Sequence, residues 1–234
     1  MILRVADSDK EPLRSVIDSD EVCFLPARSR IFKMIPVFNI IYPFWSDNNV
    51  QLDTVFESLK NCDALLPKLQ SLENQGKKHI ISGLVNINEE IGAIEIEPLK
   101  EMLILYKKYR DEAEIELKDS DLTYIKEYFC EFVRRMHFSE KTSRFNAVTF
   151  YENLGVADAM SKNNGRKFGG FCEVEIVETR TLDRYDLRWL TDVRPTCVFK
   201  EFFDAVNSYW KGEMTDNPKI EWLFSGKYLL KEMN

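Results

Sequence analysis

The hydrophobic positions of this chain change period several times, and each change marks a predicted element. The apolar run Met1-Ile2-Leu3-Arg4-Val5-Ala6 predicts a short strand, ended by Asp7-Ser8-Asp9. Val22 to Leu25 predicts a second, closed by Pro26, and Ala27-Arg28-Ser29-Arg30 reads as a basic loop or helix start. Met34 to Trp45 is strongly apolar but interrupted by Pro36 and Pro43, which predicts buried strand or loop. Over residues 51–75, Val55/Phe56, Leu59, Cys62, Leu65/Leu66, Leu69 and Leu72 recur at three- and four-residue steps. That spacing predicts a helix, kinked or broken at Pro67. His79 to Ile96 alternates and is β-branched, predicting one or two strands around Asn86–Glu90. Pro98 opens a helix to about Lys118, and Ser120-Asp121 caps another with Leu122, Ile125, Tyr128/Phe129, Phe132 and Met136 on one side.

The remainder returns to strands. Ser143 to Tyr151 is a strand by composition, with Phe145, Ala147, Thr149 and Tyr151 on one face and Arg144, Asn146, Val148 and Phe150 on the other. A short helix follows at Val156–Met160, then a strand at Phe171–Val177 and an amphipathic helix at Lys200–Trp210. Ile220–Phe224 and Tyr228–Leu230 are two apolar runs, and Ser225-Gly226 between them predicts a tight hairpin. These elements predict an α+β fold in a single domain over 1–234, with a mainly helical insertion at about 51–137.

Composition narrows the function. The chain has 234 residues, 44% of them hydrophobic, enough for a buried core, and no apolar run approaches the length that crosses a bilayer. The first residues lack the basic-then-apolar order of a signal peptide. Cys23, Cys62, Cys130, Cys172 and Cys197 are scattered and form no paired motif, which predicts reduced thiols in a cytoplasmic protein with no metal site. A formal net charge of −7 argues against a broadly basic nucleic-acid binder. It leaves room for a local cationic patch from Arg28, Arg30 and Lys33, from Arg134, Arg135, Lys141 and Arg144, and from Lys162, Arg166 and Lys167. Each cluster alone reads as a solvated face. No nucleophile elbow, ligand-spaced histidine pair or phosphate-cradling loop is present. The residue that stands out is Glu221, an acid inside an apolar run, costly to bury unless it is paired or performs work.

Three pieces together carry a resemblance. They are Arg4 in the first strand, the block from Glu131 through Arg134 and Ser143-Arg144-Phe145 to Tyr151, and the ending Tyr209-Trp210-Lys211-Gly212 followed by Glu221-Trp222-Leu223-Phe224-Ser225-Gly226-Lys227. In this order they resemble the ADP-ribosyltransferase superfamily, and an uncharacterised bacterial family within it. They are more distantly similar to the toxins of phage-defence toxin–antitoxin–chaperone systems, which modify messenger RNA. The resemblance implies a split β-sheet core and NAD as substrate.

It also implies roles. Breaking the nicotinamide–ribose bond builds positive charge on the sugar, as in glycoside hydrolysis. Glu221 would be the catalytic carboxylate that stabilises this charge, a contribution on the order of 3–4 kcal/mol. Arg4 would hold a phosphate of the cofactor. Ser143, Arg144, Asn146 and Thr149 would bind ribose or amide, and Tyr151 would stack on nicotinamide. Arg28 and Arg30 would contact the acceptor or the cofactor's phosphates, with a structural role as the other reading. Lys219 stands where a second acid would precede Glu221, and no Ser-Thr-Ser triplet is present, which speaks against arginine modification. Expected is an intracellular toxin transferring ADP-ribose to RNA, with an antitoxin or chaperone as partner. A protein acceptor, NAD hydrolysis and a non-catalytic interaction module stay open. Arg4 has a second reading as an ion pair with a neighbouring acid, and Tyr151 one as core.

Overall fold

The computed structural model describes residues 2–7, 11–22, 27–48, 50–80, 93–163, 168–194 and 197–233. In chain order these form β1 (Leu3–Asp7), β2 (Val16–Asp18), α1 (Ser19–Val22), α2 (Ala27–Asn48), α3 (Leu52–Lys60), α4 (Cys62–Asn74), β3 (His79–Ile80) and β4 (Ile94–Glu95). There follow α5 (Ile96–Ala113), α6 (Asp119–His137), β5 (Val148–Tyr151), α7 (Leu154–Asn163), β6 (Phe168–Asp186), α8 (Arg188–Thr191), α9 (Phe199–Lys211) and β7 (Ile220–Glu232). The fold is α+β with an antiparallel sheet. The chain divides into two compact units, one of Met1–Arg28, Val133–Asp192 and Val206–Asn234, the other of Ser29–Phe132 and Val193–Ala205.

The first unit holds the sheet, ordered β2-β7-β5-β1-β6, with β7 also paired to β6. β7 is long enough to do this. One edge follows β6 from Cys172↔Glu232 to Asp186↔Ile220. Its other edge pairs first with β5, Val148↔Phe224 to Tyr151↔Glu221, and then with β2, Val16↔Leu229 to Asp18↔Lys227. The pairings β7–β5–β1–β6–β7 therefore form a closed circuit. Ala6, Ile17, Val148, Phe150, Cys172, Phe224, Tyr228 and Leu230 make an apolar cluster on one face.

The terminal hairpin expected at Ser225-Gly226 does not form. β7 runs straight through it, because the irregularity is carried by β6, whose register shifts at Ile176/Glu178 and again at Thr179/Thr181. Gly226 lies opposite that bulge with φ near +150°, and its N–H donates to the Ser19 hydroxyl at 3.0 Å. The strand expected over 143–151 is confined to Val148–Tyr151. Residues before it turn instead, the Ser143 hydroxyl accepting the Phe145 N–H and the Ser143 carbonyl that of Asn146. Val22 ends a helix rather than opening a strand, and Cys23–Pro26 lies outside the described residues.

Among the described residues the second unit is helical apart from β3 and β4, and α2 begins at Ala27, ahead of the expected 51. Met34–Trp45 belongs to α2 despite Pro36 and Pro43. Ile31, Met34, Phe38, Ile41 and Trp45 are buried at helical spacing, and Trp45 meets Phe129 and Phe199 edge-on. Burial of that face outweighs a cost of about 3 kcal/mol for each interior proline. The break between α3 and α4 falls at Asn61, whose amide donates to the Glu57 carbonyl, and α4 continues through Pro67. α5 stops at Ala113, short of Lys118, because Glu114 turns left-handed. Asn86–Glu90 lies outside the described residues. No helix among the described residues is long and apolar enough to cross a membrane.

One buried acid fixes the entry into β7. Asp186 accepts the N–H groups of Arg188, Thr215 and Lys219 and the Thr215 hydroxyl, at 2.6–2.9 Å. Burial pushes its carboxyl up, but these bonds, the Thr215 hydroxyl's first, outweigh it and hold the pKa below the ordinary value.

Two outcomes follow. Gly226→Ala would place a Cβ 2.0 Å from the Glu178 carbonyl oxygen. It should cost about 3 kcal/mol or more in urea unfolding. Asp186→Asn should cost about 2–4 kcal/mol at pH 7. A depressed folded pKa gives stability that is present above the unfolded pKa and lost as pH falls through the folded one. The gap between Asp186→Asn and wild type should therefore narrow below about pH 4, measured by unfolding across pH.

Candidate functional site

Glu221 enters the first unit on the second residue of β7, directly opposite Tyr151 of β5 and Tyr185 of β6. Cross-strand partners share a face, so Tyr151, Glu221 and Tyr185 point the same way, away from the apolar cluster. The acid is 0% exposed. Its Oε1 accepts the Tyr209 hydroxyl at 2.7 Å and an N–H of Arg144. The Arg144 guanidinium also donates to the Tyr209 oxygen at 2.6 Å and lies 5.3 Å from the centre of that ring. α9 supplies Tyr209, stacked on Tyr185 with centroids 4.6 Å apart. Arg144 comes from the turn before β5. A buried carboxylate in this setting is stabilised by a cation and a hydroxyl together, the arrangement that makes a buried charge tolerable.

The same turn borders a polar pocket of about 460 Å³, lined by Asp20, Arg134, Lys141, Thr142, Ser143, Asn146, Thr181 and Ser225. Ser225 pairs with Thr181 and has the parity of Glu221 along β7, so pocket and acid lie on one face of the sheet. Four residue steps along β7 separate Ser225 from Glu221, roughly 13 Å. Ser143 and Asn146 therefore look into the pocket while Arg144 between them reaches the acid.

Arg4 does not join this group. Its side chain lies on the opposite face, among the apolar cluster, and the residue is 5% exposed. Nε and Nη2 donate to the two Glu11 oxygens at 2.9 and 3.2 Å, and Nη1 to the Thr149 carbonyl at 3.1 Å. Tyr228 donates to Glu11 as well. Burial works against the Arg4 charge, yet the Glu11 carboxylate outweighs it and raises the guanidinium pKa further above its ordinary value. The expected cleft shared by Arg4 and Glu221 is thus corrected by strand alternation, and the ion-pair reading of Arg4 describes what is found. Arg30 is also committed, to Asp121 at 2.9 Å in the second unit. The Arg28 side chain, Arg166 and Lys167 lie outside the described residues. Thr149 is half-buried across from Leu223, and Tyr151 is buried beside the acid.

Sequence reasoning named Tyr209 within a resembling segment but gave it no role at the site, and it missed Glu11 and Asp186. A tyrosine on the apolar face of a helix carries no signal that separates it from core, and Glu11 and Asp186 carry none until the sheet is paired. Among the described residues no cluster of three or more acids, histidines or cysteines forms that would hold a metal.

Fold and site together define an α+β protein whose antiparallel sheet presents a buried Arg–Glu–Tyr cluster beside a polar pocket. The family described as "Protein of unknown function (DUF2441)" matches residues 52–233, well over half of the chain, and the chain belongs to it. No curated protein matches the sequence. The matched stretch includes Lys141, Arg144, Tyr209 and Glu221, and leaves out Arg4, Glu11 and Asp20.

A purely architectural role for Arg4 and Glu11 has a measurable signature. Either Arg4→Met or Glu11→Gln alone should cost about 3–5 kcal/mol in denaturant unfolding, by stranding a buried charge. Arg4→Met with Glu11→Leu should recover most of that loss.

Proposed function

We propose that this protein cleaves the nicotinamide–ribose bond of NAD and transfers ADP-ribose to a macromolecule, RNA before protein. The observation that carries the reading is the position of Glu221. Its carboxylate is preorganised by Arg144 and Tyr209, on the sheet face that also bears the polar pocket. The Tyr209 hydroxyl keeps the carboxylate oriented when Arg144 leaves it, so its attraction for a ribose cation is not spent on reorganising water. Ser143 and Asn146 supply hydrogen-bonding groups for sugar hydroxyls. The split-sheet ADP-ribosyltransferase core belongs to the same proposal, as do the toxin role and an antitoxin or chaperone partner. All three rest on the resemblance of the Ser143–Tyr151 and Tyr209–Lys227 segments. Arg4 has no part in it.

The reaction requires the Arg144–Glu221 contact to open, because the acid is sealed from solvent and a sugar reaches it only when the guanidinium swings aside. That burial also favours a second reading, in which the Arg144–Glu221–Tyr209 cluster is a core lock in a non-catalytic interaction module.

Incubating the purified chain with labelled NAD and either RNA or cell extract separates the two. Transfer by wild type should fall roughly 10²–10³-fold in Glu221→Gln, in protein whose melting curve shows it folded. Nicotinamide release without labelled macromolecule would make water the acceptor. Equal transfer by folded Glu221→Gln, or no NAD turnover by wild type, would sink the proposal.

A further inference from the structure

We propose that the pocket beside the 143–146 turn binds the diphosphate-bearing part of a nucleotide, with Lys141 as the cation that contacts it. The pocket is built for an anion rich in acceptors. Among the described residues, the Lys141 ammonium, the Asn146 amide and the hydroxyls of Thr142 and Thr181 make no hydrogen bond or ion pair with protein, and all four line one cavity. Lys141 is half-buried, so its charge is partly desolvated without a protein anion to compensate it. A phosphate oxygen supplies that compensation in the geometry where charge-assisted bonds are strongest.

Arg134 acts as a positioning residue. Its Nη1 donates to the carbonyls of Ser139 and Lys141, at 3.2 and 2.9 Å, and so fixes the loop that carries the lysine. The lining contains no aromatic ring on which a base would stack. It therefore fits the sugar–phosphate portion and not the base. A volume of about 460 Å³ lies in the range of sites for small molecules, about 300–1,000 Å³.

Asp20 is the one acid in the lining, with Arg180 3.4 Å from its carboxylate. It opposes an anion, which gives the site a test with two signs. The inference deepens the NAD reading, and the choice of ADP-ribose as the natural fragment rests on that reading. The anion site itself is testable without turnover.

Calorimetric titration of the full chain with pyrophosphate, ADP-ribose and adenosine provides the test. Pyrophosphate and ADP-ribose should bind and adenosine should not. Lys141→Gln should weaken both anions about tenfold, with the ligand-free melting temperature unchanged. Asp20→Asn should tighten both, and Glu221→Gln should leave pyrophosphate affinity as in wild type. Affinities unaltered by Lys141→Gln and Asp20→Asn would overturn the site. So would adenosine binding as well as ADP-ribose, or a short RNA binding where pyrophosphate does not. Pyrophosphate binding that follows both substitutions, with no NAD turnover, upholds the site while removing the transferase reading. Turnover without pyrophosphate binding does the reverse.

Discussion

The structure depends on one strand that is paired along both of its edges. β7 gives its whole length to β6 on one side and divides the other between β5 and β2. Between those two pairings the Gly226 N–H donates to the Ser19 hydroxyl, which limits the open edge that is the usual liability of a long strand. The constraint is severe, because a slip of one residue would carry Glu221 to the opposite face. Two local devices pin the register. Gly226 lets the β6 bulge approach without a side chain in the way, and Asp186 ties the segment before β7 to the end of β6.

The same first unit solves the problem of a buried acid twice, and the two solutions differ in a telling way. On one face Glu11 is held by Arg4 and Tyr228; on the other Glu221 is held by Arg144 and Tyr209. Each is an arginine, a glutamate and a tyrosine, so chemistry alone does not separate an architectural cluster from a reactive one. Their surroundings differ. Arg4 lies among the buried side chains of the apolar cluster and ties β1 to the loop after it. Arg144 projects from a turn whose residues Ser143 and Asn146 line a polar pocket. Of the two, the second cluster is the one that stands beside the polar pocket.

Much of the fold was legible from periodicity. α9, α7, the helices of 51–75 and the first strand follow directly from apolar spacing, because each buries one face. Elements failed where a local rule met a larger tertiary gain. Pro36 and Pro43 mark a break in isolation, yet the buried stripe from Ile31 to Trp45 holds α2 together across them. Ser225-Gly226 reads as a turn, but that glycine answers a bulge on another strand, something no local window contains. Glu221, Ser143 and Asn146 were singled out from sequence, and the structure sets Glu221 against Arg144, which lies between the other two. Arg4 failed as a member because face assignment needs the register of β1 against β6, and residue type says nothing of register.

Where the family match begins bears on which cluster matters. β1, β2 and Glu11 precede residue 52, and so lie outside the stretch that this chain shares with the family. The Arg144–Glu221–Tyr209 cluster lies inside it, together with β5, β6 and β7, which form its platform. The matched stretch thus holds the second cluster and all of the pocket lining except Asp20. The Arg4–Glu11 pair then has a narrower task. It closes the circuit through β1, keeps β5 and β6 in place, and so holds β7 in the one register that turns Glu221 toward Arg144.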